Sequence, residues 1–142
     1  MITDKLKVKK LSETAKLPTK AHPTDLGYDI YADETVSLNP HFPTKIKTGI
    51  AIGFPEGWGG FIKDRSSMAS KGFSVIGGVI DQAYIGELSV VMTHTNGNMF
   101  INKGDKIAQL VPIPLTNWPI FEVEDLGSTD RGEKGFGSSG AT

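Results

Sequence analysis

The chain has 142 residues, enough for one domain that buries roughly two-thirds of its unfolded surface. Its formal net charge of −1 excludes a general nucleic-acid-binding surface, and the lack of cysteine excludes disulfides, thiolate catalysis and cysteine zinc sites. No apolar run approaches the length of a bilayer, and no charged-then-apolar leader is visible, so neither a membrane protein nor a secreted one is expected. The expected compartment is the cytoplasm, a host cell's if the protein is viral.

In chain order, the seventeen glycines and eight prolines leave no room for a long helix. Short strands are predicted at Leu6–Val8 and Thr35–Leu38. From Ile46 to Phe54 the even positions are apolar apart from Thr48, while Lys45, Lys47 and Gly49 alternate with them, the period of a half-buried strand. Phe61–Lys63 and Phe73–Ile76 follow, with one brief helix at Ser66–Lys71 between them, too short to stand without tertiary support. Leu88, Val90 and Met92 alternate with Ser89, Val91 and Thr93, giving another strand. Asn96-Gly97-Asn98 reads as a hairpin turn toward Met99–Ile101, and Ile107–Val111 is the last strand. Many short strands between turn signals argue for an all-β sandwich or barrel. Pro112, Pro114 and Pro119 then break the pattern, so residues 1–115 are expected to form the β domain and 116–142 an extended arm. His22, His41 and His94 have no metal-ligand spacing and are expected on the surface or in loops.

Five segments carry chemistry, each with a bland rival. In Asp25-Leu26-Gly27-Tyr28-Asp29-Ile30 an aspartate beside a loop-to-strand transition can hold a hydrated Mg²⁺, or simply cap a turn. Arg65-Ser66-Ser67 places an arginine and two hydroxyls where the brief helix begins, an anion site or an ordinary serine N-cap, with Asp64 partly opposing an anion. In Gly77-Gly78-Val79-Ile80-Asp81-Gln82-Ala83-Tyr84-Ile85-Gly86-Glu87 a hairpin exposes backbone donors and acceptors that can read a base edge. There Asp81 can orient a water as general base, and Tyr84 offers a flat wall to a sugar; the rival is a structural hairpin. Lys103 to Leu110 supplies a turn and a strand in which Gln109 interrupts an apolar run, either bonding neighbouring backbone or facing a ligand; Lys103 and Lys106 read as solvated turn charges. The last segment, Arg131-Gly132-Glu133-Lys134-Gly135-Phe136-Gly137-Ser138-Ser139-Gly140, has no face to bury. It combines glycines, hydroxyls, a guanidinium and a ring: a tail that orders over a nucleoside polyphosphate, or a loose end.

In order and spacing, these segments resemble the trimeric deoxyuridine triphosphatase (dUTPase) family, from about Leu6 to Gly140. The resemblance implies a jelly-roll-like β subunit, a homotrimer with active sites shared between subunits, and hydrolysis of dUTP to dUMP and pyrophosphate by water attack on the α-phosphorus. It implies that Asp81 deprotonates that water, that Tyr84 packs under the deoxyribose, and that the backbone around Gly78, Val79 and Ile80 bonds uracil. Arg65, Ser66, Ser67 and Gln109 are implied to contact phosphates. Asp29 is implied to hold Mg²⁺ through its waters. In the tail, Phe136 is implied to stack on uracil while Arg131, Gly137, Ser138 and Ser139 close over the γ-phosphate, the arm crossing to a neighbour with its prolines as the hinge. The chain departs from the pattern at Ile85, where most relatives carry arginine, at Asp64, where proline is usual, and at Ser139, where threonine is more usual. A dCTP deaminase and a dUTPase-derived regulatory binding protein are the alternatives. Neither nucleic acid nor membrane is an expected partner.

Overall fold

The computed structural model describes residues 4–96 and 98–135. In chain order the elements are β1 (Lys7–Lys10), β2 (Tyr28–Tyr31), β3 (Val36–Ser37), β4 (Thr44–Gly53), β5 (Trp58–Lys63), α1 (Ser66–Ala69), β6 (Phe73–Val75), β7 (Val79–Ile80), β8 (Glu87–His94), β9 (Phe100–Ile101) and β10 (Lys106–Pro114). Two four-stranded sheets, ordered β1-β4-β8-β6 and β2-β10-β5-β7, and a two-stranded β3-β9 make an all-β, jelly-roll-like fold. Every ladder is antiparallel.

The core follows from strand alternation. β8 buries Leu88, Val90, Met92 and His94 and turns the residues between them outward. β4 alternates only in its first half, because the β4–β8 register shifts between Lys47 and Ala51. At that shift Gly49 takes φ +70°, and the buried Thr48 hydroxyl donates to the Leu88 carbonyl at 2.5 Å. This is how a threonine comes to stand in the apolar register: the irregular ladder leaves a carbonyl for its hydroxyl. Ile30, Ile62, Ile107 and Leu110 of the other sheet complete the core.

Asp33, just after β2, ties the N-terminal loop down. It accepts from the hydroxyls of Ser12 at 2.5 Å and Thr14 at 2.7 Å, with Lys103 Nζ 3.9 Å away. Desolvation by itself would raise this carboxyl; the two hydroxyls and then the Lys103 ammonium outweigh it and hold it below the ordinary carboxylate value.

Several expectations are corrected. Residues 77–87 do not form a hairpin: β7 pairs with β5 and β8 with β4 and β6, so the segment crosses from one sheet to the other. Likewise the turn at Asn96 does not join a hairpin, since β9 pairs with β3; Gly97 lies outside the described residues. Pro112 and Pro114 do not mark a hinge but continue β10 opposite Gly60 and Trp58 of β5. The β2 pairing on the other side of β10 ends at Leu110, so these prolines sit where β10 has a free edge. His94 is buried rather than exposed. Its Nδ1 accepts from the Asn96 N–H at 3.1 Å, so its Nε2–H donates to the Lys71 carbonyl at 2.7 Å.

Beyond the Leu115 N–H, which donates to the Gly57 carbonyl at 2.7 Å, residues 116–135 contain no strand or helix. This stretch exposes Trp118, Ile120, Phe121, Val123 and Leu126, with Ile120 at 97%.

Candidate active site

The predicted residues fall into two groups. The first is a braced cluster at the meeting of β2, β5, α1 and β10. Asp29 lies opposite Gln109 across the β2–β10 ladder, and Gln109 lies opposite Lys63 of β5. Arg65, just past the end of β5, donates from Nε to Asp29 Oδ1 at 3.2 Å and from Nη1 to the Lys106 carbonyl at 3.2 Å. Lys106 Nζ lies 3.4 Å from Asp29 Oδ2. Lys106 and Lys103 are therefore paired with Asp29 and Asp33 rather than merely solvated; sequence pattern shows a turn lysine but not the carboxylate that the fold sets beside it.

Gln109 donates its Nε2 to the Asp64 carbonyl at 2.9 Å, the backbone bond that was one of its two possible partners. Gly27 makes room for this, since a methyl there would overlap the Gln109 carboxamide. Ser66 and Ser67 are exposed and open α1. Arg65, not a serine, is the N-cap residue, and no side chain caps the helix. The serine hydroxyls are thus not committed as caps.

Could this cluster hold a metal? Among the described residues no group of three or more His, Cys, Asp or Glu side chains converges. The Asp29 carboxylate already faces two cations, so direct ligation of a bare ion does not suit it. A carboxylate has about four lone-pair sites, however, and both oxygens retain capacity to accept from water. The donor set fits a hydrated Mg²⁺ that arrives on a polyphosphate.

The second group lies at the sheet-crossing corner. A cleft of about 280 Å³ is lined by Lys45, Val79, Ile80, Asp81, Tyr84, Glu87, Ser89 and Val91. Its geometry starts with consecutive positive φ angles at Gly77 (+71°) and Gly78 (+94°), conformations that need glycine. A side chain at Gly78 would also meet the Ile62 carbonyl at 2.5 Å. The Ile62 N–H bonds the Gly78 carbonyl at 2.7 Å, and Val79 stands opposite Phe61. In an antiparallel ladder the bonded pairs alternate, so the N–H and C=O of Val79 point away from β5, at the outer edge of the sheet.

Asp81 follows on the exposed surface, and among the described residues its carboxylate takes no hydrogen bond or ion pair. Tyr84 closes a turn by donating its N–H to the Asp81 carbonyl at 3.1 Å. Its hydroxyl donates to the Glu87 carbonyl at 2.6 Å, which lays the ring over Gly86 and fixes its plane. Glu87 is itself held by the Gly49 N–H at 3.0 Å. Lys45 is an addition to the predicted set: it stands on the outer face of β4 opposite Val91, which the strand period shows as polar but not as part of a cleft.

This cleft contains none of Asp29, Arg65 or Gln109. Arg131 donates to the carbonyls of Lys134 at 2.9 Å and Gly135 at 3.2 Å, within its own turn. Phe136, Gly137, Ser138 and Ser139 lie outside the described residues.

The family model described as dUTPase matches residues 13–140, and so takes in all five segments. The chain belongs to the dUTPase family. It is 42% identical over 139 residues to the deoxyuridine 5'-triphosphate nucleotidohydrolase of Clostridium tetani, covering 95% of this chain and 96% of that one. It is equally 42% identical to the protein of that name from Candida albicans, covering 97% and 89%. Among solved dUTPases, a mutant from Staphylococcus bacteriophage 80alpha with dUpNHpp superposes with a TM-score of 0.86 at 35% identity, covering 97% of this chain and 99% of that one. A mutant dUTPase from phage phi11 of S. aureus, whose description names a structural Mg(II) ion, gives 0.77 at 33% identity, covering 86% and 98%.

Proposed function

We propose that this dUTPase-family chain hydrolyses dUTP to dUMP and pyrophosphate by attack of water on the α-phosphorus. Such a reaction limits uracil in DNA and supplies dUMP for thymidylate synthesis. One observation carries the assignment of roles. Val79 with its outward backbone, Asp81 with its unpartnered carboxylate and Tyr84 with its fixed ring line a single cleft.

The steps follow from these positions. The edge backbone at Gly78, Val79 and Ile80 receives the Watson–Crick edge of uracil as a neighbouring strand would. Tyr84 stacks against the sugar, and a 2′-hydroxyl would have to displace its ring. Asp81, open to solvent and adjacent to both, accepts the proton of the attacking water. Arg65, Ser66, Ser67 and Gln109 receive phosphate oxygens, with the Asp29 carboxylate accepting hydrogen bonds from water. Mg²⁺ bound with the triphosphate would supply charge neutralisation at the phosphate oxygens. Arg131, Phe136, Gly137, Ser138 and Ser139 close over the nucleotide, and exclusion of bulk water strengthens each of these interactions.

Two features support a homotrimer with shared sites. The Asp81 cleft and the Arg65 cluster are separate within one chain, and the arm carries large apolar side chains that nothing among the described residues covers. A second subunit supplies both needs. The cytoplasm is the compartment this reading implies.

The test is pyrophosphate and ammonia release measured in parallel with dUTP, dCTP, dTTP and UTP in the presence of Mg²⁺. Turnover of dUTP alone is expected. Ammonia release from dCTP would instead assign a deaminase, and no turnover of any nucleotide would leave a binding protein.

A further inference from the structure

Asp64 is bonded, directly or through its neighbour, to two other segments of the candidate site and to β6. Its carbonyl accepts from Gln109 Nε2 at 2.9 Å. Its Oδ1 accepts from the Val75 N–H at 2.6 Å, eleven residues along the chain. The next residue, Arg65, holds Asp29 and the Lys106 carbonyl. Val75 ends β6, and the chain then runs through Ile76, Gly77 and Gly78 to Val79 and Asp81.

The donor that Asp64 meets is a specific one. β6 is the edge of its sheet. The Ile76 N–H bonds the Val91 carbonyl at 2.8 Å, and Val75 stands opposite Met92, so by alternation the Val75 N–H faces away from β8. Among the described residues no ladder satisfies it. The Asp64 carboxylate, reaching from the end of a strand in the other sheet, does so, and closes residues 64–75 into a loop. Inside that loop lies α1, a single turn with no side-chain cap and no buried residue. Such a turn cannot hold its own geometry. Met68 rests against the core, and the rest of the turn's position must come from its ends.

We propose that Asp64 is a positioning residue. Its carboxylate clasps the loop that carries Arg65, Ser66 and Ser67, and thereby holds these groups where the triphosphate is received. The inference rests on the hydrolase reading above. Its carboxylate is engaged with a backbone donor.

The experiment compares Asp64→Ala and Asp64→Asn in the assembled protein, well below the unfolding midpoint of each. Three quantities are read: kcat and KM for dUTP, the affinity for a non-hydrolysable dUTP analogue, and amide hydrogen exchange across residues 65–69. Asp64→Ala is expected to raise KM and weaken the analogue by about 5- to 30-fold, with a smaller change in kcat and faster exchange at 65–69. Asp64→Asn retains an oxygen acceptor for the same N–H and is expected to stay within about twofold of the parent.

An Asp64→Ala protein that melts earlier but keeps its KM and its exchange at 65–69 would reduce Asp64 to a structural role. An Asp64→Asn protein as impaired as the alanine variant would also overturn the proposal, because charge and not the bond would then matter. Should Asp64→Ala fail to fold, Val75→Pro deletes the donor from the other end, at an edge position that tolerates proline. It should raise KM in the same way, and a parental KM would refute the clasp. If the parent itself does not hydrolyse dUTP, the hydrolase reading fails, yet exchange at 65–69 in the two Asp64 variants still reads the clasp.

Discussion

The Arg65 cluster and the Asp81 corner are built in opposite ways. Around Arg65 the groups are braced against one another: Asp29 faces Arg65 and Lys106, Gln109 holds the Asp64 carbonyl, and Asp64 holds Val75. At the corner, Asp81 is exposed and has no partner among the described residues, while the free backbone of Val79 looks outward. The difference matches the tasks proposed for them. Groups that receive a polyanion must wait in fixed geometry, since positioning and charge neutralisation are most of what phosphoryl transfer needs. A general base must instead be left open to accept a proton. The ion pairs around Asp29 are half-buried and still reached by solvent, which screens them, so the value of the bracing lies in geometry more than in global stability.

That contrast can be broken, first and with the largest expected effect, at Asp81. Asp81→Asn should lower turnover by about 100- to 10,000-fold with dUTP affinity and melting temperature nearly unchanged, because the carboxylate makes no hydrogen bond or ion pair among the described residues. Steady-state kinetics showing turnover within about twofold of the parent would remove Asp81 from the chemistry.

The arm sharpens the same comparison, since both halves of the site would be closed by it. Truncation after Asp130 should leave the melting temperature intact and nearly abolish hydrolysis. Phe136→Ala should be milder, a loss of about 1–3 kcal/mol for one base–aromatic stack. A truncated protein with parental kcat/KM would make the segment a loose end.

Gly27→Ala probes the braced side. The added methyl overlaps the Gln109 carboxamide and should push it from the Asp64 carbonyl, destabilising the fold by about 1–3 kcal/mol in denaturant titrations. It should also raise KM for dUTP. The same substitution would leave both quantities unchanged if Gln109 had room to move aside.

The smallest effect lies away from both regions, at Asp33. Its folded carboxyl is held below the ordinary value of about 3.9, so the unfolded chain binds the proton more readily. The resulting stability is fully present above that value and is lost as pH falls through it toward the folded one. Asp33→Asn should therefore be less stable than the parent at neutral pH and converge with it below about pH 4, with KM unaffected. A constant stability gap across that range, measured by denaturant titration at several pH values, would contradict this account.

What could be read from residues alone was local and periodic. The alternation of Leu88, Val90 and Met92 announced β8. The prolines misled because a missing N–H harms a strand only where a neighbour needs it. At Pro112 and Pro114 β2 no longer lies alongside, and nothing in the chain order says so.

The order of five segments was enough for family and fold class, since backbone conformations and side-chain chemistries are written residue by residue. Tertiary structure alone decided the pairings: β7 with β5 instead of β8, Lys106 with Asp29, Gln109 with the Asp64 carbonyl, Asp64 with the Val75 N–H. Each joins groups far apart in sequence, and sheet order and register bring them together. Strand periodicity carries no information about which strands become neighbours.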